Sequence, residues 1–211
     1  MKIGVLIPTR GDRPEFLQNC FRMLKAQTVQ PYIIHVVDEA PQNDDCDITY
    51  RYKKGYEFLS NNLELDVIAF IEDDDYYAPD YLEYMSAQWV ANGKPDLLGC
   101  DYTIYYNVLI RKYFFFNHAD RSSAMNTWIK PGLNFSWCAD SEPYTDLHLW
   151  RVLKGTIIHP SHHICIGIKH GVGKTGGFMH VDRFQRYTNE DNGFLQQNTD
   201  SESFNFYNSF K

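Results

Sequence analysis

Ile3 to Ile7 is an unbroken apolar run, the pattern of a strand covered on both faces, and it stops at Pro8-Thr9-Arg10. Asp12 is placed to cap the helix that follows, with Pro14 in its first turn, and Phe16, Leu17, Cys20, Phe21 and Leu24 recur at helical spacing. Tyr32 to Val37 is apolar and β-branched and predicts a second strand, closing on Asp38-Glu39. Ile48 to Leu59 predicts a helix carrying Arg51, Lys53 and Lys54, weakened by Gly55. Val67 to Ile71 is the third strand, and Asp80 to Trp89 is the helix after it, with Tyr81, Leu82, Met85 and Trp89 on one side. Strands alternating with helices at this spacing predict a doubly wound, mostly parallel α/β sheet built from right-handed crossovers.

The pattern changes after Asn92-Gly93 and Pro95. Leu97 to Phe116 is dense in β-branched and aromatic residues and predicts two antiparallel strands turning at Arg111-Lys112. Ser122 to Ser136 is irregular, with Pro131-Gly132 as a turn signal. Pro143 opens a helix carrying Leu147, Leu149, Trp150 and Leu153, which Lys154-Gly155 ends. Thr156 to Ile158 and Ile164 to Ile168 predict short strands on either side of His159-Pro160. From Tyr187 to Lys211 aliphatic residues are few, and this stretch is expected to be mobile or to fold over a ligand.

A length of 211 residues supports one well-buried domain, with or without a small appendage. No apolar run reaches membrane-spanning length, and the first strand is a core strand, not a signal peptide, so a soluble cytoplasmic protein is expected. Five scattered cysteines fit neither a disulfide framework nor a paired metal motif and are expected as reduced thiols. A formal charge of −7 argues against a broad nucleic-acid surface, yet leaves room for a phosphate compound bound through a metal.

The candidate chemistry begins where the third strand ends, in Glu72, Asp73, Asp74 and Asp75. Adjacent carboxylates repel one another, and a cation offsets that repulsion. A charge run is more often a solvated turn. Here it closes a buried strand and precedes a helix start at Pro79-Asp80, and open α/β sheets bind ligands at the C-terminal ends of their strands. If the three strands are neighbours, Pro8 to Arg10, Asp38 and the acidic cluster all face one crevice. A carboxylate there can accept from a base N–H or a ribose hydroxyl, and a divalent metal on the last carboxylates can bind a diphosphate.

IPTRGDRP, VVDEA and FIEDDDYYAP together resemble the opening strand, the acidic second strand end and the FLDxDDxxxP element of GT-A fold, family-2-like glycosyltransferases, over residues 1–92. The resemblance implies a single Rossmann-like GT-A domain over residues 1–186, mostly parallel, with helices on both faces and a small antiparallel acceptor-side subsheet. Residues 1–92 would be its nucleotide-sugar half, 93–186 its acceptor-side half and 187–211 a C-terminal tail. It implies donor contacts from Pro8, Thr9, Arg10, Asp38, Glu72 and Asp73, a basic residue at Arg51 or Lys54, and Mn²⁺ or Mg²⁺ on Asp74 with Asp75 beside it. The family's general base maps to the segment CADSEPYTDLHLWRVLKG, where Asp146 is the choice and Asp140 and Glu142 come next; the plainer reading is an acid favoured in a first helical turn.

The implied function is metal-dependent transfer of a sugar from a nucleotide-sugar donor, expected to be a UDP-sugar, onto a hydroxyl acceptor with inversion. The sequence does not identify the acceptor beyond a hydroxyl compound: a glycan is expected first, with a modified nucleic-acid base or a protein as alternatives. Histidines 159, 162, 163, 170 and 180 are concentrated late in the chain; His170 and His180, flanking HGVGKTGGFMH, are the candidates for a metal-ligating imidazole. Gly173-Lys174-Thr175 is not a phosphate-binding loop, because Ile168 stands where the first glycine belongs and Gly176-Gly177 follows where a helix is needed. Lys174 could reach a diphosphate from a closing flap. Two other readings compete: a sugar-phosphate nucleotidyltransferase, whose glycine-rich loop is missing from IPTRGDRP, and a non-catalytic carbohydrate- or calcium-binding module.

Overall fold

The computed structural model describes residues 1–39, 46–171, 184–185 and 188–210. Strand β1 (Ile3–Pro8) is buried along its whole length, and its side chains alternate between two hydrophobic clusters. Ile3, Val5 and Ile7 pack with Phe16, Cys20, Met23 and Leu24 of helix α1 (Pro14–Lys25). Leu6 points the other way, into a cluster with Tyr52, Tyr56 and Leu59 of helix α2 (Ile48–Ser60). Helices therefore cover both faces of the sheet. Gly55 lies inside α2 because the helix rests so close on β1 that a Cβ there would stand 1.8 Å from Leu6 Cδ1. Asp12 does not cap α1; the cap position is Arg13, with no side-chain capping bond, and Pro14 opens the helix.

The central sheet also contains β2 (Ile33–Val37), β3 (Val67–Phe70), β5 (Leu97–Cys100), β8 (Trp128–Ile129) and β9 (Gly155–Ile158). Among the described residues its order is β2-β1-β3-β8-β5-β9. β1 runs parallel to β2 and β3, and β5 parallel to β9, while β8 is antiparallel to both of its neighbours. The mixed α/β sheet is thus mostly parallel, as the sequence pattern predicts. The reversed strand β8 lies in the stretch read as irregular, since two residues carry no periodicity.

A second sheet contains β4 (Tyr76–Tyr77), β6 (Tyr102–Asn107), β7 (Lys112–Asn117), β10 (Cys165–Lys169) and β11 (Asn189–Glu190), in the order β11-β7-β6-β10-β4. β6 and β7 form an antiparallel hairpin within the stretch where one is expected, but Leu97–Cys100 is a separate strand of the central sheet, and the turn occupies residues 108–111, with Arg111 at φ 55 and Lys112 already in β7. Three times the chain leaves the central sheet and enters the second: from β3 to β4, from β5 to β6 through Asp101, and from β9 to β10. Helix α3 (Tyr81–Ala91) buries Tyr81, Leu82, Met85 and Trp89. Helix α4 (Thr145–Val152) buries Thr145, Asp146 and Leu149.

The stretch read as a tail carries β11 and two helices, α5 (Phe194–Asn198) and α6 (Ser201–Asn208). Asp200 caps α6 by accepting from the Glu202 and Ser203 amides, and it pairs with Arg22 of α1 at 3.0 Å. Phe206 and Phe210 lie against Phe16, with ring centroids 5.2 and 5.0 Å away. Aromatic packing replaces the missing aliphatic residues here. All five cysteines are free thiols. Among the described residues no helix is long and apolar enough to cross a membrane.

Candidate active site

Where β3 ends, the chain makes the tight passage to β4 that holds Glu72 to Asp75 on the seam between the two sheets. Asp73, Asp74 and Asp75 are 1, 6 and 0% exposed, so this is not a solvated acidic turn. Each carboxylate has its own partners. Asp73 accepts from Thr9 Oγ1 at 2.7 Å and from Arg13 Nη2 at 2.8 Å. Asp74 Oδ2 accepts from Arg13 Nη1 at 2.5 Å and stands 2.9 Å from His170 Nε2. Asp75 Oδ1 accepts from the Ile168 amide at 2.8 Å, while its Oδ2 is buried with no hydrogen-bond partner. Glu72 accepts from the Tyr52 hydroxyl at 2.9 Å, and its amide donates to Tyr77 Oη at 2.8 Å.

These environments push the four acids apart. Burial raises the Asp73 carboxyl to about 7, helped by Asp74 and opposed by Arg13 and Thr9. Burial also acts on Asp74, yet the Arg13 guanidinium, followed by His170, holds it well below the usual carboxylate range. Burial, then Asp74 and Glu72, drive Asp75 well above that range, with Lys169 opposing. Glu72 is raised by burial and by Asp74. Arg13 loses hydration by burial, but Asp74 and Asp73 more than compensate and strengthen its hold on the proton.

Glu72, Asp74 and Asp75 fit a divalent cation. One carboxylate oxygen from each lies within 4.8 Å of the others. Two oxygens sharing an ion at about 2.0–2.6 Å lie no more than about 4–5 Å apart, and hard oxygen donors suit Mg²⁺ and Mn²⁺. The orphaned Asp75 Oδ2 supplies a lone pair that the protein leaves unused. His170 abuts this set, with its ring 4.2 Å from that of Phe16. His180 and Lys174 lie outside the described residues.

The other candidates divide into two groups. Pro8 is the buried last residue of β1, and the Thr9 amide donates to the Val37 carbonyl at 3.0 Å, which ties the loop after β1 to the end of β2 beside the exposed Asp38. Thr9 thereby joins the acidic cluster. Arg51 is buried and serves the backbone: it donates to the carbonyls of Thr9, Val37 and Glu39 at 2.5, 3.0 and 2.8 Å and to Asp47 at 2.8 Å. Arg10 pairs with Asp47 at 3.0 Å, and the half-buried Lys54 pairs with Glu39. Arg51 thus holds the strand-end loops together and does not itself enter the cluster. Asp146, buried in the first turn of α4, pairs with Arg121, and burial raises its carboxyl against that pairing. Its carboxylate is near enough to Glu72 to act on it electrostatically.

Three residues of the cleft are absent from the sequence reading: Arg13, Lys169 and Arg121. Arg13 follows a strand-end loop and directly precedes the helix-opening Pro14, a position from which a side chain points back over the strand ends. Lys169 ends the otherwise apolar strand CIGIK, where a buried cation is itself a signal. Nothing in the sequence links Arg121 to Asp146.

These elements make a mixed α/β fold, a mostly parallel sheet with helices on both faces and an acidic strand end at its C-terminal edge. The chain superimposes on S. aureus TarS 1–349 in complex with UDP-GlcNAc with a TM-score of 0.50 and 11% identity, over 82% of this chain and 60% of that one. A197 from STIV aligns with a TM-score of 0.49 and 13% identity, over 75% of this chain and 82% of that one. At such identities the likeness is one of fold. No protein-family model and no curated protein matches the sequence.

Proposed function

We propose that the chain is a metal-dependent glycosyltransferase that moves a sugar from a nucleotide-sugar donor onto a hydroxyl acceptor with inversion. The observation that carries the reading is the convergence of Glu72, Asp74 and Asp75 on one point at the strand ends, with the buried Asp75 Oδ2 lacking a partner. These three residues would hold Mn²⁺ or Mg²⁺, which when bound supplies positive charge to a diphosphate. Pro8, Thr9, Arg10 and Asp38 line the neighbouring strand ends and are assigned to the nucleotide, with Arg51 fixing the loop they sit on. TarS 1–349 is described with UDP-GlcNAc, and the shared fold makes UDP-sugars the donors to test first.

Asp146 is assigned the base role. In the transfer, the acceptor oxygen forms a bond to the anomeric carbon as the bond to the diphosphate breaks. The acceptor proton passes to the Asp146 carboxylate, and the diphosphate leaves with the electron pair. A carboxylate raised by burial accepts a proton more readily than a solvated one, while Arg121 keeps it ionised and oriented. The test is thermal stabilisation by UDP with Mn²⁺, followed by a screen of UDP-sugars for metal-dependent turnover. Asp146→Asn should retain donor binding and lose transfer, and Asp74→Ala should lose both. If no nucleotide shifts the melting temperature with any divalent metal, the reading fails.

A further inference from the structure

Strand β10 reads Cys-Ile-Gly-Ile-Lys. Ile166 and Ile168 point into the main hydrophobic cluster, so strand alternation puts Gly167 and Lys169 together on the opposite face. Tyr105 of β6 fills that face: a Cβ on Gly167 would come within 2.8 Å of its ring, and glycine is what admits the ring. The Lys169 ammonium stands 5.0 Å from the centroid of the same ring.

Lys169 is only 7% exposed, a depth at which lysine is almost always paired. Among the described residues its ammonium has no hydrogen bond and no ion pair. The residues on either side of Lys169 touch the acidic cluster: the Ile168 amide donates to Asp75 Oδ1 at 2.8 Å, and His170 Nε2 stands 2.9 Å from Asp74 Oδ2. Arg13, by contrast, is fixed on Asp73 and Asp74 by two short bonds. A ring face offsets only part of the desolvation of an ammonium. The side chain therefore holds unspent donors beside a cation site, on a strand end rigidly packed against the core.

We infer that Lys169 is the protein's own cation for the diphosphate of the donor; the inference rests on the nucleotide-sugar reading above. A cation on the carboxylates and an ammonium beside them can contact two linked phosphates together, which selects a diphosphate over a monophosphate. As the sugar departs, negative charge grows on the leaving diphosphate, and a preorganised ammonium stabilises it without reorganising.

The test is calorimetric titration of inorganic pyrophosphate, UDP, UMP and uridine into the Mn²⁺-loaded wild type, Lys169→Met and Lys169→Arg. Lys169→Met should weaken pyrophosphate and UDP by about 10- to 100-fold, the range for losing a hydrogen bond to a charged group. Uridine binding should not change, UMP should lose less than UDP, and Lys169→Arg should recover most of the loss. Wild-type melting behaviour in the variants guards against misfolding, and Lys169→Gln, which removes the charge but keeps a polar chain, takes the place of the methionine variant if that one does not fold. Unchanged pyrophosphate affinity in a folded Lys169→Met protein overturns the inference, as does failure of the wild type to bind pyrophosphate. Lysine-dependent pyrophosphate binding without any nucleotide binding would leave the anion site standing and remove the nucleotide-sugar reading instead.

Discussion

Replacing Arg13 with Met tests whether the acidic cluster is held together by that one guanidinium. The Arg13 side chain is 12% exposed, and the side chains of its partners Asp73 and Asp74 are 1% and 9% exposed, so solvent does little to screen the pairs. Two charge-assisted bonds are lost, at 2.8 and 2.5 Å, each worth about 1.5–3 kcal/mol. Removing one partner of a buried ion pair independently predicts a loss of about 3–5 kcal/mol. The two figures agree, and in a chain of this size they correspond to a fall in melting temperature of roughly 10 °C.

The assay is urea denaturation at pH 7.5, first in EDTA and then with saturating Mn²⁺. In EDTA the variant should lose about 3–5 kcal/mol. Mn²⁺ should stabilise the variant more than the wild type, because the ion supplies charge that Arg13 no longer provides. Acid should also narrow the gap. Arg13 holds the Asp73 carboxyl down, so without it the carboxyl binds its proton more tightly and its repulsion disappears sooner as pH falls. A variant within about 1 kcal/mol of wild type in EDTA would refute the reasoning, since it would mean that the carboxylates do not depend on this cation.

The wild type should itself lose stability in EDTA as pH rises from about 5 to 7. The folded pKa of Asp73, about 7, lies above the ordinary carboxyl value, so the folded state holds the extra proton through that window and its advantage is lost at higher pH. Asp74 has the opposite sign, contributing stability that disappears only in stronger acid, as pH falls below the ordinary carboxyl range. Urea titrations of wild type and Asp73→Asn should show a shallower slope in the variant; equal slopes would count against the assignment. Asp75→Asn should change stability by less than about 1 kcal/mol, because Oδ1 keeps its Ile168 bond and the acid is already driven toward its neutral form. It should nevertheless weaken Mn²⁺ binding at least about tenfold by electron paramagnetic resonance titration, and unchanged affinity would remove Asp75 from the metal set. Gly55→Ala should cost about 1–3 kcal/mol through overpacking against Leu6, checked by the shift in urea midpoint.

The central elements were legible because their signals are local. The apolar runs of β1, β2 and β3 and the helical spacing of Phe16, Cys20 and Leu24 each declare an element within a dozen residues. The acidic cluster was legible as well, through its place at a strand end. Its partners were legible only in part, because they lie far away along the chain: His170, 96 positions from Asp74, was singled out as a metal-ligating candidate, while Arg13, 61 positions from it, was not. Gly55 illustrates the opposite failure, since what weakens a helix locally is what lets α2 approach β1. The Asp12 cap was wrong because residue 13, not 12, adjoins the first helical turn, and its guanidinium is committed to the carboxylates. The packing of α5 and α6 escaped notice because it depends on aromatic rings, Phe194 meeting Tyr113 and Phe206 and Phe210 meeting Phe16, contacts that composition does not reveal.

The repeated passage of the chain between its two sheets also sets an order of assembly. β3 receives its second neighbour only from Trp128 and Ile129 of β8, and the hydrogen-bonded group of Arg13, Asp74 and His170 joins positions 157 residues apart. During synthesis, four carboxylates therefore emerge about a hundred residues ahead of His170, the last side chain to join them. Contacts of such long sequence separation are slow to form, since loop closure must precede them. Until residue 170 has been made, no shorter form of the chain can possess the complete cluster.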